Sequence, residues 1–291
     1  MLNKHISDGV SLIKVATFDR MNPSNYCYFN GDLVRYEELQ LHISDLQFQR
    51  GYGIFDFFRI RNGTIPWLED YTERLFNSLK LSEIEVNLDR DQFSSVISGL
   101  QKKNNMTEGA FKVIVTGGYS ENLHAVTGPA NVLILNLNWK KPPEKTFNEG
   151  VSLVSEEYVR PNPEIKTLYY FNTLRQRKKL QTFDAVDVLF YSDTISEASR
   201  ANLFFVKNGI VTTPGRNILK GITRKQLLAM FKEIRVEDIS MDQIYDFEEI
   251  FMTGTSRDIT PVVAIDGKHV GNGRPGPVTR EIQAAFQKMG W

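Results

Sequence analysis

Cysteine is nearly absent from the sequence, with Cys27 the only one among 291 residues. A single thiol cannot form an intramolecular disulfide, and with four scattered histidines the chain lacks the ligands of a conventional zinc site. An excess of one charge is absent too, because 35 Lys and Arg balance 35 Asp and Glu. The positive field typical of general nucleic-acid-binding proteins is therefore missing. We expect no metal centre and no nucleic-acid partner.

Long hydrophobic runs are also missing. No stretch approaches the ~18 uninterrupted apolar residues of a transmembrane helix, and the richest, 132–137, is interrupted by Asn136. Residues 1–13 carry charged and polar side chains instead of the continuous apolar core of a secretory signal. We therefore expect no membrane partner and a cytoplasmic location.

The remaining composition is that of a globular protein, with 41% hydrophobic and 24% charged residues. The length is about twice that of a typical domain. Residues 139–150 (WKKPPEKTFNEG) combine a Pro-Pro pair with charge and no periodicity, which is typical of an interdomain connection. We therefore predict a small α/β domain at 1–138, a linker at 139–150 and a larger domain at 151–291.

Hydrophobic periodicity predicts mixed secondary structure in both halves. In the first half we predict a hairpin around Asn30-Gly31, then strands and two helices that together make an α+β domain. The second half continues in the same mixed way. The predicted strands are 53–60, 64–68, 110–116, 131–138, 151–158, 185–191, 203–207, 210–213, 249–253 and 262–265, and the helices 69–81, 91–104, 167–182, 221–234 and 278–289.

One lysine stands out in the second half. Lys166 follows a proline-stiffened loop and has apolar and aromatic neighbours in the segment 161–170. Such surroundings disfavour the ammonium form and lower the pKa of a lysine, which Schiff-base chemistry requires. By residue type alone, an ordinary surface lysine is the commoner case.

Three further segments supply chemically matching groups. Glu197 lies between two apolar strands, the segment 219–224 opens a helix whose free N–H groups attract anions, and 253–256 ends a strand with hydroxyls. Each feature alone is equally typical of a turn or a helix start. Together they match the needs of pyridoxal phosphate (PLP), which are a lysine, a carboxylate for the pyridine nitrogen and a phosphate site.

In this order and spacing, the segments EIKTLYY, SEASRANLFFVKNGIVTTP, ILKGITR and FMTGTSRDITPV resemble the fold-type IV (class IV) PLP-dependent aminotransferases. That family includes branched-chain and D-amino-acid aminotransferases and aminodeoxychorismate lyase, and the resemblance extends from Phe29 to the C-terminus. It implies an α+β fold of two domains, a small N-terminal α/β domain and a larger C-terminal domain with a pseudo-barrel β core. It also implies a homodimer whose site lies between the domains and is completed by the partner subunit.

The resemblance assigns roles to individual residues. Lys166 is the Schiff-base lysine and proton carrier, and Glu197 pairs with the pyridine nitrogen. Arg74 reaches the phosphate from the first domain. The other cofactor contacts that it implies are Leu219 against the ring and Ile222, Thr223 and Thr255 at the phosphate.

The first domain departs from the family pattern on the substrate side. The segment 45–56 reads DLQFQRGYGIFD, which alters an Arg, an Asp and a Glu of the family motif and places Phe55 where D-amino-acid enzymes have tyrosine. Asn122 replaces their carboxylate-binding arginine, whereas His124 matches their histidine. A substrate carboxylate therefore needs another cation, for which Arg59 is a candidate, with Arg61 as a second one.

Three functions are consistent with these motifs. The first is an aminotransferase that moves an amino group between an amino acid and a 2-oxo acid through Lys166. The alternative is 4-amino-4-deoxychorismate lyase-type elimination, which uses the same lysine and releases pyruvate. The third is a catalytically weakened homologue, suggested by the altered segment 51–56, although the intact Lys166, Glu197 and Arg74 argue against it.

Overall fold

The computed structural model describes residues 25–289, so the expectation for residues 1–13 lies outside the described residues. The first half contains five strands and three helices. In chain order these are β1 Tyr26–Phe29, β2 Asp32–Arg35, α1 Leu46–Arg50, β3 Gly53–Ile60, α2 Leu68–Leu81, α3 Arg90–Lys103, β4 Gly109–Thr116 and β5 Asn131–Leu137.

The second half contains the other nine strands and five helices of the described chain. They are α4 Glu144–Asn148, β6 Val151–Glu157, α5 Phe171–Arg175, α6 Arg177–Thr182, β7 Ala185–Tyr191, β8 Ile195–Ala198, β9 Asn202–Lys207, β10 Ile210–Thr213, α7 Ile222–Met230, β11 Arg235–Val236, β12 Glu249–Gly254, β13 Asp258–Ile265, β14 Lys268–His269 and α8 Pro277–Lys288.

The small sheet is antiparallel throughout, with the strand order β2-β1-β5-β4-β3. Its hairpin turns at Asn30 and Gly31, whose φ angles of 49° and 110° lie in the left-handed region that Asn-Gly pairs favour. The alternating residues Ile54, Phe58 and Ile60 of β3 are buried in one core with side chains of α2 and α3. Consequently the opposite face of β3 remains available to form a site.

The large sheet has nine strands, in the order β11-β10-β9-β12-β13-β6-β7-β8 with β14 beside β13. It is mixed, because β6 pairs in parallel with β13 and β7 whereas β9, β12 and β13 pair antiparallel. The sheet curls into a half-barrel. The predicted fold, with a smaller N-terminal sheet and a larger barrel-like C-terminal one, is confirmed.

The predicted linker falls between the two sheets. The small sheet ends at β5, the large sheet begins at β6, and α4 forms within the intervening residues. The Arg280 guanidinium of α8 donates to the carbonyls of Phe147 and Asn148, which attaches this segment to the second half. The exact domain boundaries remain a prediction.

Two local predictions were wrong. Residues 64–68 form no strand beyond the single bridge between Arg61 and Thr64, and the chain turns at Trp67 (φ 56°) directly into α2. The helix predicted over 167–182 begins only at Phe171 and is divided into α5 and α6. The reason is that residues 166–168 are extended and bonded to β3, a long-range pairing that helical periodicity cannot indicate.

No helix among residues 25–289 is long and apolar enough to cross a lipid bilayer.

Candidate active site

A cavity of about 480 Å³ lies between segments of the two sheets. We call one side the small-sheet wall, which consists of Phe55, Phe57, Lys112, Leu137 and Trp139. We call the other side the large-sheet wall, which consists of Glu197, Leu219, Ile222, Thr223 and Thr255. Further lining residues include Arg74, Arg160, Lys166, Tyr170 and Arg200.

Lys166 is held at the junction of the two halves by backbone hydrogen bonds. The Phe55 amide donates to the Lys166 carbonyl at 2.9 Å, and the Leu168 amide donates to the Gly53 carbonyl at 3.0 Å. The Lys166 Nζ lies 4.7 Å from the centroid of the Phe55 ring. Burial, assisted by the positive charge of Arg74, lowers the pKa of Lys166 to about 8. A substantial fraction of this lysine is therefore a free amine near neutral pH.

Glu197 is buried in β8 and is tied directly to the loop that precedes Lys166. Its carboxylate accepts from Arg160 Nε at 3.0 Å and from the Leu219 amide at 2.8 Å. Arg160 also donates to the Ile165 carbonyl at 2.7 Å and to the Pro163 carbonyl. Burial raises the pKa of Glu197, and Arg160 with the Leu219 amide opposes that rise. One guanidinium thus links the buried carboxylate to the lysine loop.

The large-sheet wall provides an anion site at the start of α7. This helix has nine residues and begins after Gly221. No side chain caps it, so its first backbone N–H groups remain available to bind an anion. The Thr223 and Thr253 hydroxyls are buried, and neither has a hydrogen-bond partner among residues 25–289. A Cβ at Gly221 would lie 2.2 Å from Asn202 Oδ1, so only glycine permits this close approach. The uncapped N–H groups of α7 and the two buried threonine hydroxyls fit a phosphate group.

Arg74 reaches the cavity from α2. It forms a two-pronged ion pair with Asp56, with Nε–Oδ2 at 2.9 Å and Nη2–Oδ1 at 2.5 Å, and Asp56 is only 1% exposed. The Tyr71 hydroxyl, also on α2, lies 2.8 Å from the Thr255 hydroxyl. The first half therefore contributes a fixed cation next to the hydroxyls of the second half.

The small-sheet wall has a cation of its own. Lys112 Nζ lies 5.2 Å from the centroid of the Phe55 ring, on whose face Lys166 also sits. Burial lowers the pKa of Lys112, and it has no ion-pair partner among residues 25–289. Arg200 shares the buried carboxylate of Asp187 with Arg257. Lys112 is thus a cavity cation that no described carboxylate pairs, in contrast to Arg74, Arg160 and Arg200.

The remaining predicted substrate residues lie away from the cavity lining. The side-chain Oδ1 of Asn122 accepts from the amides of His124 and Ala125 at 3.2 and 2.9 Å, which forms a local turn on an exposed loop. Arg59 is paired with Asp258 at 2.6 Å and stacked on Trp139. Within a single chain, therefore, only Phe55 of the four predicted substrate residues lines the cavity.

Sequence reasoning missed several residues at this site. Asp56 was interpreted only as an altered glutamate, although a carboxylate at that position still binds Arg74. Arg160 lies six positions before Lys166, and a charge in a proline-rich loop was the available signal. Lys112 lies in no motif, and Tyr170 ends the motif EIKTLYY but was given no role there. Burial raises the pKa of Tyr170 to about 12. Their placement follows from strand register and loop path.

Among residues 25–289, no group of three or more His, Cys, Asp or Glu side chains could hold a metal ion.

Comparison with known proteins identifies relatives that span nearly the whole chain. The Escherichia coli branched-chain-amino-acid aminotransferase is 29% identical and covers 92% of this chain and 96% of its own length. A crystal structure of the E. coli enzyme matches with a TM-score of 0.84 and 26% identity, over 91% of this chain and 94% of that one. The Bacillus licheniformis D-alanine aminotransferase is 27% identical over 89% of this chain and 95% of its own.

A further structural relative has its cofactor. The branched-chain amino acid aminotransferase of Thermobaculum terrenum, solved in its PLP form, shares the fold at 23% identity with a TM-score of 0.80. It covers 92% of this chain and 94% of that chain. The family model for amino-transferase class IV matches residues 53–265, well over half of the sequence. The chain therefore belongs to the class IV aminotransferases, as its motifs predicted.

Proposed function

We propose that Lys166 binds the cofactor PLP in this aminotransferase and moves the proton during amino transfer between an amino acid and a 2-oxo acid. The observation that carries this proposal is the position of Lys166. Its amine, with a pKa lowered to about 8, lies in one cavity with a buried carboxylate and a set of unsatisfied anion donors. These are the three groups that PLP chemistry requires from a protein.

The described side chains fit the cofactor. Thr223, the first amides of α7 and the Arg74 guanidinium would hold the phosphate, with the Thr255 hydroxyl beside them. Glu197 would face the pyridine nitrogen and keep it protonated. Leu219 and Ile222 supply apolar contacts for the ring. The cofactor assignment is supported by the PLP form of the T. terrenum relative.

When bound, PLP supplies an aldehyde that condenses with amines and a ring that withdraws electrons from the substrate α-carbon. The protein has to deliver a base at the correct place. The Lys166 Nζ would take the proton from the substrate α-carbon as a base and would then return a proton as an acid. The lowered pKa raises the share of neutral amine that can act as this base, and the pairing with β3 fixes the position of the Lys166 backbone. Arg160 opposes the rise in the pKa of Glu197 and so favours its carboxylate form.

The small-sheet wall is the substrate side in this proposal. Lys112 is the cation that would bind a substrate carboxylate, because Arg200 is paired with Asp187 and Arg74 is assigned to the phosphate. Phe55, Phe57, Leu137 and Trp139 make the rest of this wall apolar, which favours an apolar side chain.

A second copy of the chain is part of the proposal. Exposed apolar side chains lie on α1, on the residues just before it and on the loop that carries Asn122 and His124; they are Ile43, Phe48, Tyr119, Leu123 and Val126. Backbone bonds such as Leu46 N to Gly118 O (2.9 Å) join these two segments into one surface. Burying this surface against a second copy would place the Asn122 loop at an interface. Sedimentation should give a dimer, which Val126→Asp weakens and the distant Ile210→Asp leaves intact. A fully active monomer would contradict this.

The test of the function is the visible absorption spectrum of the purified protein. We expect a band from lysine-bound PLP that is absent from Lys166→Ala and is bleached by at least one L- or D-amino acid. A wild-type protein that shows no band after reconstitution with PLP would refute the proposal. Pyruvate released without a 2-oxo acid acceptor would instead indicate the lyase reaction, which the aminotransferase relatives do not favour. A cytoplasmic location stays a prediction.

A further inference from the structure

Arg59 is a buried cation that the proposed mechanism does not use. Its guanidinium lies 4.5 Å from the centroid of the Trp139 ring, and its Nη2 bonds to Asp258 Oδ1 at 2.6 Å. The Arg59 and Asp258 side chains are only 9% and 14% exposed. Asp258 begins β13 immediately after the turn that carries Thr255. Arg59 thus joins the small sheet, the start of the linker and the Thr255 turn.

The strand register explains why Arg59 lies behind the cavity wall. Residues 55, 57 and 59 share one face of β3, and Phe55 and Phe57 line the cavity whereas Arg59 does not. Across the sheet, Arg59 pairs with Ala110, and Ala110 pairs with Leu137. Trp139 lies two residues beyond Leu137, stacks against Arg59 and takes part in the cavity wall itself.

Trp139 depends on its side-chain contacts for its position. It lies two residues after the last residue of β5 and has no strand partner among residues 25–289. Its amide donates to the Leu137 carbonyl at 2.9 Å as the chain leaves the sheet. A planar guanidinium stacked on the indole and anchored by a carboxylate restricts the ring to one orientation. A lysine could keep the ion pair but not the planar stack.

We propose that Arg59 is a positioning residue that, together with Asp258, fixes the Trp139 ring as the end wall of the cavity and so limits the length of the substrate side chain. The inference rests on the proposed function, since it takes the small-sheet wall as the substrate side. It replaces the expectation that Arg59 itself binds the substrate carboxylate.

The experiment measures how the binding of unbranched carboxylates depends on their length. Propionate, butyrate, pentanoate and hexanoate are titrated into the holoenzyme by calorimetry, which requires neither turnover nor a visible band. The proteins are the wild type, Trp139→Ala, Arg59→Gln and Arg59→Lys. The matched control is Arg61→Gln, because Arg61, the second candidate cation of the sequence, is exposed two positions further along and does not line the cavity. Near-UV circular dichroism and cofactor affinity report whether each variant remains folded and loaded.

We expect the wild type to reach a length beyond which affinity falls. Trp139→Ala and Arg59→Gln should both extend that limit, which changes the hexanoate-to-butyrate affinity ratio about 10-fold or more, the value of a methylene in an apolar pocket. Arg59→Lys should fall between Arg59→Gln and the wild type, and Arg61→Gln should match the wild type.

The inference would be overturned if Arg59→Gln lowered the affinity for all four carboxylates by the same factor, because the effect of a general structural defect does not depend on ligand length. An unchanged length limit in Trp139→Ala, or no binding of any carboxylate to the wild type, would overturn it as well. If Arg59→Gln does not fold, the same titrations are made with Arg59→Lys and with Trp139→Phe. A length limit that is unchanged from the wild type in both variants would also overturn the inference. A wild type that binds carboxylates with a length limit but converts no amino acid would instead refute the proposed function.

Discussion

The two walls of the cavity differ in how completely one chain builds them. The large-sheet wall holds every residue that the motifs predicted for it, from Glu197 in β8 to Thr223 at the start of α7. On the small-sheet side, Asn122 and His124 lie on an exposed loop instead, and Lys112 and Trp139 stand at the cavity without any motif.

This difference follows from what each wall has to bind. A cofactor is the same in every relative, so its phosphate and ring nitrogen need the same local devices, a helix start and a buried carboxylate. A substrate side chain varies, and its wall is built from alternate residues of strands paired across the sheet, such as Phe57 opposite Lys112. In the proposed function, the large-sheet wall would carry the chemistry and the small-sheet wall would carry the specificity.

The largest effect should come from Lys166→Ala, which removes the amine at the junction of the two halves. We expect the aminotransferase kcat/KM to fall on the order of 10⁴-fold, the upper range for a general acid–base group. Lys178→Ala, an exposed lysine on α6, should change nothing. Steady-state kinetics of the holoenzymes checks this, and activity retained within about 10-fold would contradict the role of Lys166.

The second-largest effect should come from Glu197→Gln, which changes the carboxylate of the large-sheet wall. A neutral amide cannot keep the pyridine nitrogen protonated, so we expect kcat to fall on the order of 10²-fold while substrate KM changes little. Arg160→Gln should raise the pKa of Glu197, because Arg160 lowers it, and activity should then be lost as the pH falls. The pH profile of kcat separates the two variants, and identical profiles for Arg160→Gln and the wild type would count against this link.

Thr223→Val tests the phosphate site of the same wall. Its buried hydroxyl has no partner among residues 25–289, and a hydrogen bond to a charged group contributes about 1.5–3 kcal/mol. We expect the PLP dissociation constant to rise roughly 10-fold or more, as measured by equilibrium dialysis of the apoenzyme. Thr212→Val, on β10 and outside the cavity lining, is the control. An unchanged dissociation constant would place the phosphate elsewhere.

Lys112→Met sharpens the comparison from the small-sheet side. Loss of this half-buried cation from the proposed substrate side should raise the KM about 10-fold, whereas the PLP dissociation constant should stay the same. Kinetics and dialysis on one preparation provide both values. If PLP binding weakened and the KM did not, Lys112 would belong to the cofactor rather than the substrate.

The smallest expected effect is a shift in the pKa of Lys166. Because burial and Arg74 lower the pKa of Lys166 to about 8, the rate at which the apoenzyme captures PLP should rise with pH through about 8 and then level off. Arg74→Gln removes one of the causes that lower this pKa, so its midpoint should lie at higher pH. Stopped-flow absorbance measures both midpoints, and a lower midpoint in Arg74→Gln would contradict the cited cause.

The sequence predicted what is local and missed what depends on distant pairing. Strand β3 begins and ends where its periodicity indicated, and Lys166, Glu197 and Thr223 were found through short motifs. The helix predicted from 167 was wrong at its start because Lys166 and Leu168 pair with β3 more than 100 residues earlier. Asp56 and Arg160 were missed for the same reason, since each acts on a partner that only the fold brings near.

The most direct test of the central claim is to identify the lysine that binds PLP. The holoenzyme is reduced with borohydride, digested and analysed by mass spectrometry. The mass of the reduced cofactor should appear on the peptide that contains Lys166, and on no other lysine, Lys112 included. Labelling of Lys112, or of neither lysine, would contradict the assignment of the two walls.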